Sequence, residues 1–528
     1  MKRVLVADSV PQRCLDMLNE AGLEVDLRPG LSVDELREAV KGASGIMCRS
    51  GAKITQEVLE SADVLEAVCR AGVGVDNIDV PAASRRGVVV MNTPGGNTLS
   101  TAEHAFALTL ALARNVGPAY ISMREGRWDK KRFIGSQLAG SKLGVVGLGR
   151  IGQAVAKRAV AFEMEVMGYD PYVSRSAAEA IGVKLVDKLE DLLRECDYLT
   201  VHVPENHETE NMIGADEIAL MKDGACVLNC ARGSVVDQQA VLAAIESGKL
   251  AKAAFDVYAQ EPPESFDFCR SDRILATPHL GASTEEAQMA VATEAAQQLI
   301  EALLRRHIRN AVNLTPIPPE EMKVLMPYCE LALRLGRLVG QLNRGRPQGL
   351  EVSCRGEMVH RSIEPVVRYG TTGVMQAMLG KDVNIVSAPH LAEERKLAVT
   401  SSSTLSLEAG FSDLVEVILR TDAGTVEAAG TVFGSRHPRI VRINGFYLEV
   451  VPEGRLLIVF NNDVPGVIGK VGAILGAAKV NIARMGCGRK KVGGTALLAL
   501  NLDTPYGEDV IDKVREIDEV RKVFSVEL

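Results

Sequence analysis

Short apolar, β-branched runs alternate with amphipathic stretches over about the first 300 residues of the chain. We interpret four early runs as strands, KRVLVAD, GIMCRS, VLEAVCR and GVVVMN, and the stretch from Gln12 as a helix. A helical pattern from Ser100 to about Asn115 and a basic segment, REGRWDKKRF, precede a second alternation, which runs from KLGVVGLG to RILATP. Alternating strands and helices are typical of βαβ units around a parallel sheet. The pattern therefore predicts two α/β domains.

The pattern of apolar and polar residues changes after the second alternation. A long helical pattern from Ser283 to about His307 follows the second alternation, and we expect this helix to return to the first domain. The segment NLTPIPPEE, around Asn313, clusters prolines that break helices and strands, so it predicts a linker. Residues 320–452 mix helical and strand patterns, which predicts an α+β unit. Residues 455–528 read strand, helix, strand, strand, helix, strand, which predicts a ferredoxin-like βαββαβ unit.

Length and composition limit the classes of protein to consider. A chain of 528 residues predicts roughly three or four domains, and 47% hydrophobic with 24% charged residues is typical of globular proteins. The 60 basic and 68 acidic side chains give a net charge of -8, which disfavours nucleic acid as a partner. The N-terminal apolar stretch is too short for a signal peptide, and no apolar run is long enough to span a membrane. We therefore expect a cytoplasmic protein.

The ten cysteines change this picture little. They contain no CxxC spacing, and the nearest pair, Cys226 and Cys230, lies in the apolar run ACVLNCA, where thiols usually pack as small core side chains. The sequence therefore predicts neither a disulfide framework nor a metal site.

A glycine motif gives the sharpest chemical signal. The letters GLGRIG at 147–152 follow the strand KLGVV directly and open the helical pattern IGQAVAKRAVAF. The first two glycines allow a tight turn close to a pyrophosphate, and the third allows close packing of helix against strand. Asp170 ends the next strand 18 residues after Gly152, which is near the spacing of a dinucleotide-binding fingerprint. Because this carboxylate would accept ribose hydroxyls and repel a 2′-phosphate, the sequence favours NAD over NADP, and Arg175 lies too far along to reverse that preference.

Three polar residues follow predicted strands of the same domain, at the edge where open α/β sheets bind ligands. Arg232 follows ACVLNCA, Glu261 follows KAAFDVYAQ, and His279 follows RILATP. A 2-hydroxyacid dehydrogenase needs a cation for the carboxylate, a near-neutral base for the hydroxyl proton, and a carboxylate that orients the base. The three residues supply one of each. Of the other histidines, we expect His104 to be a core residue of its apolar helix and His202 to line the nicotinamide side.

Four motifs together resemble a known family. VVGLGRIG, NCARGSVVD, FDVYAQEPP and TPHLGAST are similar to those of the D-isomer-specific 2-hydroxyacid dehydrogenases, and the length with the terminal module resembles the long-form members that oxidise 3-phospho-D-glycerate. The resemblance implies that Arg232, Glu261 and His279 are catalytic. It also implies an NAD-binding Rossmann domain at 96–290, inserted in a substrate-binding domain formed by 1–95 and 291–315. An intervening regulatory or assembly domain at 316–452 and an ACT domain at 455–528 follow.

The resemblance also implies binding residues. For the cofactor NAD they are Gly147, Gly149, Arg150, Ile151, Gly152, Asp170, His202, Pro204, Thr209, Cys230, Ala231, Arg232, Asp256, His279 and Gly281. For the substrate they are Arg49, Arg70, Gly72, Val73, Gly74, Asn97, Arg232 and His279, in which Gly72–Gly74 would offer backbone N–H groups to the carboxylate. A substrate phosphate needs further cations, and the segment around Arg127, Trp128 and Lys131 is a candidate source, with a solvated charged face as the alternative.

The C-terminal unit resembles an ACT domain, a small module that pairs across subunits and binds amino acids. Asn461, Asp463 and Asn481 are the candidate effector residues, because a carboxylate and amides match the charged groups of an amino acid, and in the family this ligand is often L-serine. A purely dimerising role is the alternative, since a small sheet with an open edge tends to associate. In either case we expect a homo-oligomer, a dimer or a tetramer.

The leading hypothesis is an NAD-dependent dehydrogenase that converts 3-phospho-D-glycerate to 3-phosphooxypyruvate, the first step of phosphorylated serine synthesis. A second hypothesis keeps this chemistry on glyoxylate, hydroxypyruvate or 2-oxoglutarate. A third is a regulator that binds NAD and catalyses little, with the C-terminal unit as a metabolite sensor. The intact Arg, Glu and His set counts against the third hypothesis.

Overall fold

The structure is a computed structural model that describes residues 1–305, 307–406, 411–434 and 436–528. Its first sheet is parallel and has the strand order β2-β1-β3-β4-β5. Consecutive strands are joined by helices, as the alternating pattern predicts. The strands are β1 Arg3–Val6, β2 Glu24–Leu27, β3 Gly45–Cys48, β4 Ala67–Arg70 and β5 Val89–Met91, and the helices are α1 Gln12–Glu20, α2 Val33–Ala39, α3 Gln56–Ser61 and α4 Val80–Arg85.

The second sheet is also parallel and follows two helices, α5 Thr98–Ala113 and α6 Val116–Arg124. Its order is β12-β11-β10-β9-β6-β7-β8, so the chain reverses direction across the sheet between β6 and β9, where ligands of such sheets bind. The strands are β6 Lys142–Val146, β7 Glu165–Tyr169, β8 Val183–Leu185, β9 Tyr198–Val201, β10 Ala225–Asn229, β11 Leu250–Phe255 and β12 Ile274–Ala276. The helices between them are α7 Arg150–Ala161, α8 Arg175–Glu179, α9 Leu189–Glu195, α10 Ala215–Leu220 and α11 Gln238–Glu246.

A long helix, α12 Glu285–Arg305, returns to the first sheet. Its buried face, which includes Val291, Ala295 and Leu299, shares one apolar core with Val4 and Met47 of the first sheet. This packing confirms that the second α/β unit is inserted into the first. The domain boundaries at single-residue precision stay predictions.

The third sheet is mixed, with the order β14-β13-β15-β16-β17-β18. Two long helices pack on one face of it and cross closely, because Gly336 and Gly373 have no side chain between the two backbones. This is the predicted α+β unit. Its elements are α13 Pro319–Leu342, β13 Pro347–Gly356, α14 Glu364–Leu379, α15 Ser387–Glu394, β14 Ala398–Thr404, β15 Asp413–Thr421, β16 Gly424–Phe433, β17 His437–Ile443 and β18 Phe446–Val450.

The C-terminal unit has the predicted βαββαβ order and an antiparallel sheet, β20-β21-β19-β22. Leu456, Ile458 and Phe524 on one face of this sheet belong to the same apolar core as the helices of the third sheet. The two C-terminal units therefore form one packed body. The elements are β19 Arg455–Asn462, α16 Val467–Ala477, β20 Ile482–Arg489, β21 Thr495–Leu502, α17 Glu508–Arg515 and β22 Val520–Glu527. No helix in these described ranges is long and apolar enough to cross a membrane.

The loop between α14 and α15 joins this body to the first sheet. Val386 is buried in the core beneath α12, and Asn384 Nδ2 donates to the Gly87 carbonyl oxygen at 2.8 Å. The Asn384 Oδ1 atom accepts from the N–H groups of Val386 and Ser387, so the side chain is held in one orientation. Gly87 has a φ of +74°, and a Cβ there would lie 2.6 Å from Asn384 Nδ2.

We expect Gly87→Ala to destabilise the protein by clearly more than the roughly 1–2 kcal/mol that a left-handed alanine costs by itself. Gly22→Ala is the matched control, because Gly22 has a φ of +85° and open space around its Cβ position. Chemical denaturation gives the free energies of unfolding. The additional loss in the free energy of unfolding at Gly87, compared with Gly22, should shrink in an Asn384→Ala background. Equal losses in the free energy of unfolding for Gly87→Ala and Gly22→Ala would refute the contact.

Candidate active site

Three neighbouring parallel strands of the second sheet have their carboxyl ends at the same edge of the sheet. β10, β11 and β12 are adjacent and parallel, and Arg232, Glu261 and His279 lie in the segments that follow their carboxyl ends. The N–H of Thr277 donates to the Phe255 carbonyl oxygen at 2.9 Å, which continues the ladder toward His279. The structure therefore brings the sequence-predicted set to the ligand-binding edge of the sheet.

His279 and Glu261 form a directly bonded pair. The distance from His279 Nδ1 to Glu261 Oε2 is 2.7 Å, and Glu261 Oε1 accepts from the Tyr258 N–H at 3.1 Å. The hydrogen bond to Glu261 raises the pKa of His279 above its ordinary value, against the opposing effect of burial. Burial acts to raise the pKa of Glu261, but the bond and charge of His279 outweigh it, so that pKa lies below the usual range. Nδ1 is engaged, and Nε2 is left for a substrate.

Arg232 faces the first α/β domain. Its Nε lies 3.2 Å from Asp76 Oδ2, and its Nη1 donates to the Ala231 carbonyl oxygen at 2.7 Å. A Cβ on Gly74 would overlap the guanidinium, so this close approach requires glycine. Arg232 and the Gly72–Gly74 loop therefore lie side by side, although they belong to different domains.

The Gly72–Gly74 loop is held by polar contacts from its own domain. The Arg70 guanidinium donates to the Gly74 carbonyl oxygen, and Asn92 Nδ2 donates to that of Val73 at 2.5 Å. Burial lowers the pKa of Arg70, and its Nε is buried without a hydrogen-bond partner in the structure. Such an unpartnered donor beside a crevice suits an anionic ligand.

Two further predicted substrate residues, Arg49 and Asn97, follow strands of the first sheet or precede α5. Arg49 follows β3, the neighbour of β4 in the first sheet, and its Nη1 lies 3.4 Å from the Ser9 carbonyl oxygen. Asn97 precedes α5, and its Oδ1 is buried without a hydrogen-bond partner. Both placements fit a polar ligand at the crevice edge.

The β6–α7 turn fits a dinucleotide. Gly147 has a φ of +88°, and a Cβ on Gly152 would overlap the Gly147 carbonyl oxygen. Gly149 precedes Arg150 and Ile151 at the start of α7 and has open space around its Cβ position, where a pyrophosphate could reach the helix N-terminus.

Asp170 supplies the acceptor at the adenosine end. Asp170 Oδ2 accepts from the Leu148 N–H and Oδ1 from the Tyr172 N–H, both at 2.8 Å, which leaves each oxygen a lone pair for a ribose hydroxyl. Arg175 is paired with Asp187 at 2.6 Å. The site therefore suits NAD, as the sequence predicts.

The remaining predicted cofactor residues flank the reversal point of the sheet. His202 follows β9, and burial lowers its pKa to about 4, so the ring is neutral near pH 7. Thr209 Oγ1 donates to the Pro204 carbonyl oxygen at 2.6 Å. Cys230, next to Ala231, follows β10, and burial raises its pKa, so it is a neutral thiol. These contacts to NAD stay predictions.

The chain is similar to known proteins over its whole length. The family model of the D-isomer specific 2-hydroxyacid dehydrogenase NAD-binding domain matches residues 106–281, and that of the D-3-phosphoglycerate dehydrogenase intervening domain matches residues 324–444. The D-3-phosphoglycerate dehydrogenase of Methanocaldococcus jannaschii is 40% identical over 528 residues, and that of Archaeoglobus fulgidus is 41% identical over 529 residues, each with 100% of both chains covered. The chain belongs to the D-3-phosphoglycerate dehydrogenase family.

Solved structures of other 2-hydroxyacid dehydrogenases match more than half of the chain. A glyoxylate reductase from Paecilomyes thermophila has a TM-score of 0.55 at 26% identity and covers 59% of this chain and 98% of its own. The D-lactate dehydrogenase of Aquifex aeolicus, solved with NAD and lactic acid, has a TM-score of 0.52 at 28% identity and covers 58% of this chain and 96% of its own. These likenesses support the two α/β domains as the dehydrogenase unit.

Asp256 has an internal role that the sequence did not indicate. Its side chain is 1% exposed, and Oδ1 accepts from Thr277 Oγ1 at 2.6 Å and from the Leu280 N–H at 2.7 Å. Oδ2 accepts from the Gly281 N–H at 2.8 Å. In this member of the dehydrogenase family, Asp256 therefore holds the loop that carries His279, and its predicted contact to NAD stays a prediction.

Sequence reasoning also missed His104. We expected a core residue of its apolar helix, and the side chain is 19% exposed; the sequence did not indicate its partners, Asp256 Oδ1 and Thr277 Oγ1, which both lie 3.2 Å from Nε2. No local signal links these residues, because more than 150 positions separate His104 from Asp256. The helical pattern around His104 indicated only an apolar face.

The side chains of the basic segment after α6 are exposed at Arg127, Trp128 and Lys131. Arg127 pairs with Glu125, and Trp128 is 79% exposed, so the solvated-face alternative for this segment, which includes Lys131, stays open. Among the described residues, no group of His, Cys, Asp and Glu could hold a metal ion.

The effector candidates do not meet within one chain. Asp463 follows the end of β19 that pairs with Thr495, whereas Asn481 precedes Ile482, which pairs with Leu502 at the other end of the sheet. Eight residues of strand separate the two ends, or about 25 Å. The antiparallel register places Asp463 and Asn481 at opposite ends of one chain's sheet, so their joint contact with one amino acid stays a prediction for an interface between subunits.

The third candidate is also engaged internally. Asn461 is 4% exposed, and its Nδ2 donates to the Asn462 carbonyl oxygen at 2.7 Å. Asp463 Oδ2 accepts from the Gly493 N–H at 3.0 Å and lies 3.2 Å from Arg489 Nη1. Asn481 Nδ2 donates to Asp503 at 2.9 Å. Of the three, Asp463 and Asn481 lie toward the surface.

We expect Glu261→Gln to lower the pKa of His279 toward its ordinary value of about 6.5, because the carboxylate charge that stabilises the imidazolium is removed. A proton NMR titration of the ¹³C-labelled imidazole, assigned with His279→Gln, measures this change. Glu264→Gln, at an exposed acid in the same segment, is the matched control. An unchanged His279 titration in Glu261→Gln would rule out the pair as the cause of the raised pKa.

Proposed function

We propose that this protein oxidises 3-phospho-D-glycerate to 3-phosphooxypyruvate with NAD, as the first step of phosphorylated L-serine synthesis. The observation that carries the proposal is the 2.7 Å pair of His279 and Glu261 at a sheet edge where Arg232 meets the Gly72–Gly74 loop. Relatives that match the full chain bear the name of this activity, which supports the choice of substrate. A cytoplasmic location fits such a biosynthetic enzyme.

The proposed proton transfer uses the free nitrogen of the histidine. Neutral His279 keeps its proton on Nδ1, where the N–H donates a hydrogen bond to Glu261, and accepts the C2 hydroxyl proton at Nε2. Glu261 stabilises the imidazolium that results and holds the ring in place. Bound NAD supplies the acceptor for the C2 hydride.

The carboxylate of the substrate is placed by two domains. Arg232 binds it from the nucleotide-binding side, and the backbone N–H groups of Gly72–Gly74 approach it from the other side. Closure of the two domains then brings the substrate's C2 atom toward His279, so the bound substrate is oriented for reaction. In the reverse direction, Arg232 also polarises the C2 carbonyl.

The substrate phosphate distinguishes this function from its rivals. Glyoxylate and hydroxypyruvate carry no negative charge beyond one carboxylate, whereas Arg49 and Arg70 near the crevice suit the additional negative charge of a substrate phosphate. The unpartnered Nε of Arg70 favours an anion there. A protein that only senses NAD would need no such set, nor the bonded pair of His279 and Glu261.

We expect the protein to act as a homo-oligomer. Several large apolar side chains on α6 and in the segment after it are exposed in the single chain. Exposed apolar surface of this kind often marks an interface with another protein chain. This patch consists of Val116, Tyr120, Ile121, Met123, Trp128 and Ile134. A second copy of the chain is the occupant that we propose for it, with a dimer or a tetramer as the result.

L-serine is the effector that we propose for the C-terminal module. Because one chain places Asp463 and Asn481 at opposite ends of the sheet, a complete site needs two copies. A two-fold axis between two sheets runs their edges antiparallel, which sets the Asp463 end of one copy beside the Asn481 end of the other. A bound amino acid would then bridge the copies.

The proposed activity predicts steady NADH formation with 3-phospho-D-glycerate and NAD. His279→Gln should lower kcat by about 10²–10⁴-fold with little change in the Kd for NAD, because it removes only the proton acceptor. Initial rates followed by NADH absorbance, and NAD binding followed by calorimetry, test this. Nearly full kcat in His279→Gln would overturn the catalytic assignment.

Two further controls separate the rival functions. Faster turnover with glyoxylate or 2-oxoglutarate than with 3-phospho-D-glycerate would favour the second substrate class. No turnover in either direction, with NAD binding intact, would favour the sensor.

The two-copy effector site predicts that millimolar L-serine inhibits turnover and that Asp463→Ala and Asn481→Ala each abolish the inhibition. Mixed dimers of the two variants should regain it in part, because each mixed dimer holds one site with both wild-type residues. Asp518→Ala, at an exposed acid of the same module, is the control. Rates with and without L-serine, before and after subunit exchange, decide the matter, and no recovery on mixing would refute a shared site.

A further inference from the structure

His104 lies on α5, outside the segments that carry Arg232, Glu261 and His279. α5 begins where the chain crosses from the first sheet to the second, so it belongs to the connection between the two domains. Its first turns touch the His279 loop twice on one face. Ser100 Oγ donates to the Gly281 carbonyl oxygen at 2.8 Å, and His104, one turn later, reaches Asp256 and Thr277.

The His279 loop depends on Asp256. His279 has a φ of +54°, in the left-handed region that non-glycine residues adopt only when their surroundings hold them. Its N–H donates to the Asp256 carbonyl oxygen at 2.9 Å, and the Asp256 carboxylate binds the next two N–H groups. The loop is thus wrapped around one buried residue.

Asp256 in turn needs His104. A carboxylate that is 1% exposed must have its charge compensated by donors. Burial acts to raise the Asp256 pKa, and the hydrogen bond from His104 is the largest of the opposing contributions that hold it below its usual range. Because a carboxylate only accepts, His104 carries a proton on Nε2 and shares it between Asp256 Oδ1 and Thr277 Oγ1.

We propose that His104 is a positioning residue of the dehydrogenase reaction: through Asp256 and Thr277 it fixes the loop that presents His279 to Glu261 and to the substrate. His104 does not touch the reacting atoms. This inference rests on the proposed function for its kinetic consequences, but the geometry that it describes is independent of turnover.

The matched variants are His104→Gln and His104→Leu. Glutamine keeps an N–H donor at the end of a side chain of similar reach, whereas leucine fills the space and leaves the buried carboxylate without this donor. Thr109→Val, on the same helix, is the control. Thr109 is 2% exposed, and its Oγ1 donates only to the Ala105 carbonyl oxygen of its own helix.

The first measurement is the NMR titration of His279 in these variants. The charged groups that influence this imidazole are Glu261, Asp256 and Arg232. In His104→Leu the loop loosens and the Glu261 contact weakens, so the His279 pKa should fall by about half a unit or more toward 6.5. His104→Gln and Thr109→Val should leave this pKa near the wild-type value.

The second measurement is the pH profile of kcat/KM for 3-phospho-D-glycerate oxidation. The reaction needs neutral His279, so activity falls as the pH drops through the raised pKa, and His104→Leu should move this acid limb to lower pH. It should also lower kcat by about 10–100-fold, as misplacement of a catalytic group does, with little change in the Kd for NAD.

Two outcomes would overturn the inference. One is an unchanged His279 titration and acid limb in His104→Leu, with a loss of activity that follows its loss of thermal stability. The other is an equal effect in Thr109→Val. If the titration shifts as expected but wild-type protein fails to turn over 3-phospho-D-glycerate, the proposed function fails while the positioning role stands.

Discussion

The hydrogen bonds to the buried Asp256 carboxylate hold the segment that carries His279, at the sheet edge where the proposed reaction takes place. This carboxylate, which is 1% exposed, accepts from the Thr277 hydroxyl and from the N–H groups of the two residues that follow His279. His104 lies beside it as a further donor. An unpaired carboxylate in such a place would cost several kcal/mol, so every donor that surrounds it is constrained in position. The left-handed conformation of His279 follows from this wrapping, and the 2.7 Å bond to Glu261 follows from the conformation. His279, the base of the proposed reaction, is thus placed by a carboxylate that holds its loop.

Close backbone approaches complete the crevice. Gly74 lies against the Arg232 guanidinium, and Gly233 lies against the backbone of Tyr258 and Ala259, so a side chain at either glycine would push two segments apart. The first approach joins the two α/β domains. The second joins the Arg232 segment to the one that leads to Glu261. Both close approaches are possible because a glycine has no side chain. They bring the segments near each other without a bond between them, which suits a crevice that closes over its ligand.

Local patterns were enough to predict the sheets, the dinucleotide turn and the three residues at the strand ends, because each depends on short-range periodicity or on a fixed spacing such as that from Gly152 to Asp170. Contacts between distant segments were not predictable in this way. His104 and Asp256 carry no mark of their partnership, and the Asn384 contact with Gly87 joins residues almost 300 positions apart. The effector residues show the same limit, since their composition suited an amino acid while the strand register separated them.

The packing of the C-terminal half connects the proposed effector module to the first α/β domain. The third and fourth sheets share one apolar core, so a force on the C-terminal sheet moves both as a body. That body contacts the first sheet where Asn384 binds Gly87, just before β5, and Asn92, just after β5, binds the Gly72–Gly74 loop through Val73. A short strand thus separates the contact with the C-terminal body from the loop that faces Arg232. The hydrogen bond of Asn384 to Gly87 and that of Asn92 to Val73 therefore form a chain of contacts through β5 from the C-terminal body to the loop that faces Arg232.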